Sequence, residues 1–393
     1  MPAYPLTSLG IVCALGAGRE QVLKGALRAS TSGMRARGDM VRGKSVFAGE
    51  VDAPLPEIGE KIYDTRTNRL LLKALDEMRA EVESAILKFG KRRVGIVLGS
   101  SNTGIEEFCR DYAKADGDEG AKALASEYTE LGNPSAFLKK HLGLDSPCYT
   151  VSTACSSSAK AFSAAARLLK NDICDAVIAG GADSLCRFVV NGFNALNSVS
   201  FSRANPFSAN RSGINLGEAA ALFLMQKPEC AKSGDICFLG SGETSDAYHA
   251  TSPDPSGAGA ASAMKLALAD AGLEARDIGY INLHGTATRY NDAMEARAVA
   301  EVFGVNTPCS STKPMTGHTL GAAGALECGL CLLMMSDLNE NNLLLPHVFD
   351  GVYDSSLPPI RLAKLNDSAR VRYALSNSFA FGGSNASVIL GRI

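Results

Sequence analysis

The same succession of events is written twice along the 393 residues of this chain. In the first pass a helical stretch ends near Gly90, a strand begins Val94-Gly95-Ile96, and the chain turns at Gly99-Ser100. In the second pass a helix ends at Ala271-Gly272, a strand begins Ile278-Gly279-Tyr280, and the turn falls at His284-Gly285-Thr286. Next come Pro147-Cys148-Tyr149 and Pro308-Cys309-Ser310, each leading through a polar turn into a helix of small residues, 158–166 and 321–326. Each pass closes on glycine followed by a strand, at Gly217-Glu218-Ala219 and at Gly382-Gly383-Ser384. Correspondences in one order argue for duplication. They place a seam near Pro228–Asp235 and divide the chain into an N-terminal unit, 1–232, and a C-terminal unit, 233–393. Residues 105–146, charged at first (Glu106, Glu107, Arg110, Asp111, Lys114), have no counterpart and read as an insertion forming a cap or subunit contact.

Within each unit, Ala-rich helical periodicity alternates with short β-branched runs, the pattern of an α/β fold with helix-covered sheets. Strands are expected at 93–98, 174–179, 278–283 and 386–390, and helices at 67–89, 156–170, 259–272, 291–303 and 319–336, with apolar residues three and four apart. The N-terminal strand is expected to be short. Tryptophan is absent and aromatics are only 6%, so the core is aliphatic and Ala-rich, and small-residue helices can pack closely at the centre. A net charge of −2 argues against a nucleic-acid binder. No apolar run approaches the about 18 residues of a membrane span, and the start, Met1-Pro2-Ala3-Tyr4-Pro5, lacks the features of a signal peptide. Eleven scattered cysteines suit a reducing cytoplasm better than a disulfide scaffold.

The nucleophile candidate is Cys155, in Thr153-Ala154-Cys155-Ser156-Ser157. A strand end, a turn of small residues and a helix start put this thiol at a helix N-terminus, which favours thiolate. Serines 156–158 are rivals, but the chain has no Gly-x-Ser-x-Gly elbow. Of five histidines, His284 and His318 follow strands beside glycine, where a ring can point into a cavity. His141, His249 and His347 read as structural. The run Asn377-Ser378-Phe379-Ala380-Phe381-Gly382-Gly383 offers backbone N–H groups for an oxyanion and a mobile gate.

Taken together, Thr153-Ala154-Cys155, His284-Gly285-Thr286-Ala287-Thr288, Lys313 to Gly324 and Phe379 to Asn385 resemble the β-ketoacyl-[acyl-carrier-protein] synthases. The match is to the Cys-His-His branch that elongates acyl chains, within the thiolase-like superfamily. The resemblance covers nearly the whole chain and implies an α/β fold of the duplicated, five-layer αβαβα thiolase-like type. It implies an acyltransferase: Cys155 takes an acyl group from the phosphopantetheine arm of an acyl carrier protein. His284 and His318 then hydrogen-bond the thioester carbonyl of malonyl-carrier protein during decarboxylation, and the carbanion attacks the acyl-Cys. The backbone N–H groups of Cys155 and Phe381 would hold the oxyanion, with Phe381 as gate. Lys313 would support the histidines, Asp292 and Glu327 would form the surrounding shell, and Thr286 and Thr288 would bond the pantetheine. No cofactor is bound permanently on this reading. The partners are acyl- and malonyl-loaded carrier protein and a second ketosynthase-like subunit, in a homodimer or heterodimer, with no nucleic acid and no metal.

The sequence departs from the commoner family pattern at Pro206–Gly213, with serine at two acidic positions, at Gly217-Glu218-Ala219, and at Ala380, where glycine is usual. These departures favour a specialised synthase, for instance one making aryl polyenes. The alternative within the family is the subunit of a heterodimeric ketosynthase/chain-length-factor pair. Arg66, Arg69 and Lys73, at helical spacing, are the expected docking patch for an acidic carrier. Two rival readings are a non-catalytic partner subunit, which should lack the nucleophile, and a metal protein using Cys328-x-x-Cys331, which has no second cysteine pair to complete it.

Overall fold

The computed structural model describes residues 2–115 and 126–393, so part of the insertion expected at 105–146 lies outside the described residues. Ten strands carry the architecture. Five come first: β1 (Tyr4–Cys13), β2 (Val94–Gly99), β3 (Cys148–Val151), β4 (Ala176–Asp183) and β5 (Ala219–Gln226). Five follow: β6 (Ile236–Ser245), β7 (Tyr280–Asn282), β8 (Pro308–Ser310), β9 (Tyr373–Ala380) and β10 (Ser384–Arg392). The spatial orders are β3-β2-β4-β5-β1 and β8-β7-β9-β10-β6, joined where Tyr4 and Pro5 of β1 pair with Phe238 and Cys237 of β6. Pairing senses match as well: β2 runs parallel to β3 and β4, as β7 does to β8 and β9, and the remaining pairs are antiparallel.

Both sheets are buried on both faces, so successive residues of one strand feed different cores. In β5, Ala219, Ala221, Phe223 and Met225 face a central core while Ala220, Leu222 and Leu224 face an outer one. In β10, Val388 and Leu390 face the central core and Ile389 the other outer one. The outer layer of the first sheet is built on α1 (Arg66–Asp76), through Leu70, Leu71 and Leu75, with α2 (Arg79–Phe89) beside it. A further helix, α4 (Arg187–Ala195), borders the site described below, and between the sheets lie α3 (Ser157–Lys170) and α7 (Ala323–Met335). The outer layer of the second sheet is α5 (Ala258–Ala271) and α6 (Arg289–Phe303). The result is the five-layer thiolase-like arrangement. The small residues expected at the centre have a geometric reason: a Cβ on Gly324 of α7 would lie 2.6 Å from the backbone nitrogen of Ala159 in α3.

Three expectations change. The helix at 67–89 is two helices, α1 and α2, with the break at Glu77 and Met78; Glu77 turns inward and accepts the Ile11 N–H through Oε2 at 3.1 Å. The N-terminal strand is ten residues long and pairs with both β5 and β6. Thr7, Ser8 and Gly10 interrupt its apolar pattern, and a Cβ at Gly10 would lie 1.9 Å from the Ala74 carbonyl oxygen. The third change concerns Arg66, Arg69 and Lys73, all half-buried on α1. Arg66 is bonded bidentately to the buried Glu218, and Arg69 to Asp64 at 2.6 Å, so two of the three charges are neutralised locally rather than offered to a partner. The unusual Glu218 also accepts the N–H groups of Val51 and Leu185.

Candidate active site

The C-terminal ends of the parallel strands converge on one cavity. Cys155 follows β3, His284 follows β7, Lys313 and His318 follow β8, and Phe381 sits between β9 and β10. At the first of these ends Ala154 adopts φ 52°, a left-handed turn that swings Cys155 to the start of α3. Ser157 fixes the turn by donating to the Ala154 carbonyl at 2.5 Å and accepting the Thr153 N–H at 2.9 Å.

The thiol of Cys155 is buried, and burial pushes it up to about 12. The Lys313 charge and the Phe381 N–H hydrogen bond pull in the opposite direction and do not prevail. Desolvation thus opposes the pull of the helix terminus towards thiolate. His318 Nε2 lies 2.9 Å from Sγ. Its backbone is clamped to one segment, donating to the Asn215 carbonyl at 2.7 Å and accepting from the Gly217 N–H at 3.0 Å. Its Nδ1 is buried without a hydrogen-bond partner among the described residues.

His284 stands edge to face against His318, with ring centroids 5.2 Å apart. Burial, reinforced by Lys313, holds both imidazoles well below their ordinary value, so both are neutral. Lys313 is itself buried, ion-paired to Glu327, and its Nζ lies 3.4 Å from His284 Nδ1. An ammonium group has donors only. Nδ1 must therefore accept, and the ring hydrogen of His284 sits on Nε2, turned away from Lys313. Sγ of Cys155 and one ring nitrogen from each histidine lie within 4.8 Å of one another.

The cavity above them is lined by Phe193 of α4, Ile214, Thr286, Thr288, Phe381 and Asn385. Thr286 and Thr288 bond each other through their hydroxyls at 3.0 Å. The Phe381 ring packs against Phe193 at 5.3 Å, and Gly382 and Gly383 beyond it take φ of 81° and 72°, which glycine alone adopts freely. Asp292 lies one shell out: it accepts the N–H groups of Phe207 and Ala287, at 2.8 and 3.2 Å, and so shapes the threonine loop.

Two buried acids escape sequence reasoning. Glu295 accepts the N–H groups of His284 and Gly285, each at 2.7 Å, and fixes that turn from below. Asp183, at the end of β4, accepts from Ser100 Oγ, Ser101 N, Asn102 N and Gly321 N, tying the β2 turn to the segment after His318. The signal for Glu295 is its spacing: it stands three residues after Asp292 on a helix whose other buried residues are Asn291, Ala, Met and Val. His347 is structural as expected, accepting from Ser311 N and donating to the Pro206 carbonyl. Cys328 and Cys331 lie inside the apolar helix α7, buried, and among the described residues they join no group of three metal-ligating side chains.

Residues 28–231 match the family model for the N-terminal domain of β-ketoacyl synthase, and residues 237–339 match its C-terminal domain. The 3-oxoacyl-[acyl-carrier-protein] synthase 2 of Coxiella burnetii is 30% identical, over 99% of this chain and 98% of its own length. Among solved structures, the ketosynthase ApeO of Xenorhabdus doucetiae, determined in complex with its chain length factor ApeC, superposes with a TM-score of 0.93 at 38% identity, over 100% of this chain and 98% of that one. The ishigamide ketosynthase/chain length factor superposes at 0.88 with 26% identity, over 100% of this chain and 99% of that one.

Proposed function

The chain belongs to the β-ketoacyl synthase family, and from that premise we propose how its residues divide the work. It is a β-ketoacyl-acyl carrier protein synthase, joining malonyl-carrier protein to an acyl group held as a thioester. In the proposed cycle Cys155 Sγ attacks the incoming acyl thioester. Its proton moves with the attack through His318 Nε2 to the departing pantetheine sulfur. The N–H of Phe381 receives the oxyanion, with that of Cys155. Malonyl-carrier protein then enters past Phe381, its pantetheine held at Thr286 and Thr288. His284 Nε2–H, fixed in that tautomer by Lys313, donates to the thioester carbonyl as carbon dioxide leaves and enolate character develops. His318 is the second donor, and its unpartnered Nδ1 leaves both tautomers open to it, one for each half of the cycle. The enolate carbon attacks the acyl-Cys and expels the thiolate, which takes a proton from solvent.

The observation that carries this reading is the 2.9 Å approach of His318 to Sγ beside a second neutral imidazole, at the floor of a cavity. Acyl transfer is the reaction class. The pantetheine arm arrives on the carrier, and eleven unpaired thiols suit a reducing cytoplasm. No helix among the described residues is long and apolar enough to cross a membrane. The division at 1–232 and 233–393 assigns the nucleophile to one unit and both imidazoles to the other. Intact-protein mass spectrometry after incubation with acyl-carrier protein tests the reading: one acyl mass on the wild type, mapped to Cys155, and none on Cys155→Ala. A wild type that stays unacylated, or acyl mass elsewhere, sinks it.

A second reading, the catalytic subunit of a ketosynthase/chain-length-factor pair in polyene synthesis, rests on the full-length likeness to ApeO at 38% identity. Copurification with a similar chain lacking the cysteine, and no activity without it, is the outcome it requires.

A further inference from the structure

Cys155, His284 and His318 have a second chemical identity. One thiol and two imidazoles, buried, with ligand atoms within 4.8 Å of one another and a cavity above, form the donor set of a three-ligand zinc site with one open position. Zinc bonds to sulfur at about 2.3 Å and to nitrogen at about 2.0–2.1 Å, so small ring movements would admit the ion. A metal seated there would cap the nucleophile.

The surroundings of the two rings are arranged against that outcome. An imidazole that ligates through Nε2 carries its hydrogen on Nδ1, and an acceptor behind the ring normally takes it. Behind His284 stands the Lys313 ammonium, 3.4 Å from Nδ1. It can only donate, so it occupies the Nδ1 lone pair and leaves hydrogen on Nε2, where a metal needs a lone pair. Behind His318, Nδ1 has no hydrogen-bond partner among the described residues. Of the buried carboxylates nearby, Glu295 is taken up by the backbone N–H groups of His284 and Gly285, and Glu327 is ion-paired through Oε1 to Lys313.

We propose that Lys313 is a metal-excluding residue: by fixing the His284 tautomer and setting a positive charge beside the cluster, it keeps a complete Cys-His-His donor set from capturing Zn2+ or a similar soft divalent cation. Removing the ammonium would reverse both effects. It would also free the Glu327 carboxylate as the kind of acceptor that metal-bound histidines use. The inference rests on the donor geometry, not on the catalytic roles assigned above, so it is read by metal binding rather than turnover.

The test is competition for Zn2+ between the purified protein and a chromogenic chelator, with Co2+ absorption as an independent view of sulfur ligation. Lys313→Met should gain one Zn2+ site about 10- to 100-fold tighter than anything in the wild type, the range that outer partners of metal ligands command. That gain should vanish when Cys155→Ala is added, and Lys313→Arg, which keeps a donor-only cation, should behave as wild type. If Lys313→Met folds poorly, Lys313→Gln asks the same question, since its amide oxygen can accept from Nδ1–H. A wild type that binds Zn2+ through Cys155 as tightly as these variants overturns the proposal, as does a variant that folds and gains nothing.

Discussion

Glu295 carries the sharpest consequence at the scale of single residues. It is wholly buried, accepts two backbone N–H groups beneath His284, and is lifted by burial from 4.5 to about 8. Between those values the folded chain holds a proton that the unfolded chain releases, so the contribution to stability is full at low pH and is lost as pH rises through about 8. The slope is at most about 1.4 kcal/mol per pH unit. Glu295→Gln removes the titration. The unfolding free energy of wild type minus that of the variant, from urea curves, should therefore decline from pH 5 to pH 8; a pH-independent difference would contradict the assignment. Cys155, His284 and His318 are legible in the sequence because each follows a strand at a turn of small residues. Glu295 is legible only as an acid at helical spacing from Asp292, and its role is not, because its partners are backbone groups that only the fold delivers. The electrostatics of Cys155 are half legible for a related reason: a helix terminus is visible in sequence, but the desolvation that opposes it is not.

Among the elements, the contact between α3 and α7 holds the two sheets to one centre. The sequence announces it through runs of Ala, Gly and Ser, and the geometry gives the reason: Gly324 meets Ala159 at backbone distance. Gly324→Val must push the helices apart, and overpacking of this kind costs typically about 1–3 kcal/mol. Because α3 begins just after Cys155 and α7 carries Glu327, the shift should also lower the rate of Cys155 acylation. Thermal unfolding together with the acylation rate measures both effects; a variant as stable and as fast as wild type would show that the helices have room. Other element boundaries are silent in sequence. No glycine or proline marks the break between α1 and α2; the backbone leaves the helix at Met78, φ −119° and ψ 12°, next to Glu77 and its contact with the Ile11 N–H across 66 positions.

For the whole molecule, the matching strand orders make the duplication visible from sequence, since each repeated event is local. What one sheet does at its outer edge is not local. β3 ends the first sheet and, among the described residues, its backbone pairs only with β2, from Ile96–Cys148 to Gly99–Val151, while its Cys148 and Thr150 side chains reach Ser135. No strand among the described residues pairs with its other edge, and Tyr149 is 37% exposed. An open edge carrying apolar side chains is a template for another strand, and the second ketosynthase-like chain of the proposed pair would supply one. The strand leads within four residues into Cys155, so ordering this edge also orders the turn at Ala154 that aims the thiol. Tyr149→Asp should therefore shift the protein from dimer to monomer in sedimentation velocity, and acylation of Cys155 should fall with the dimer fraction, recovering at high protein concentration. If Tyr149→Asp stays dimeric, or if the monomer acylates as fast as the dimer, the edge strand neither joins the subunits nor supports the nucleophile.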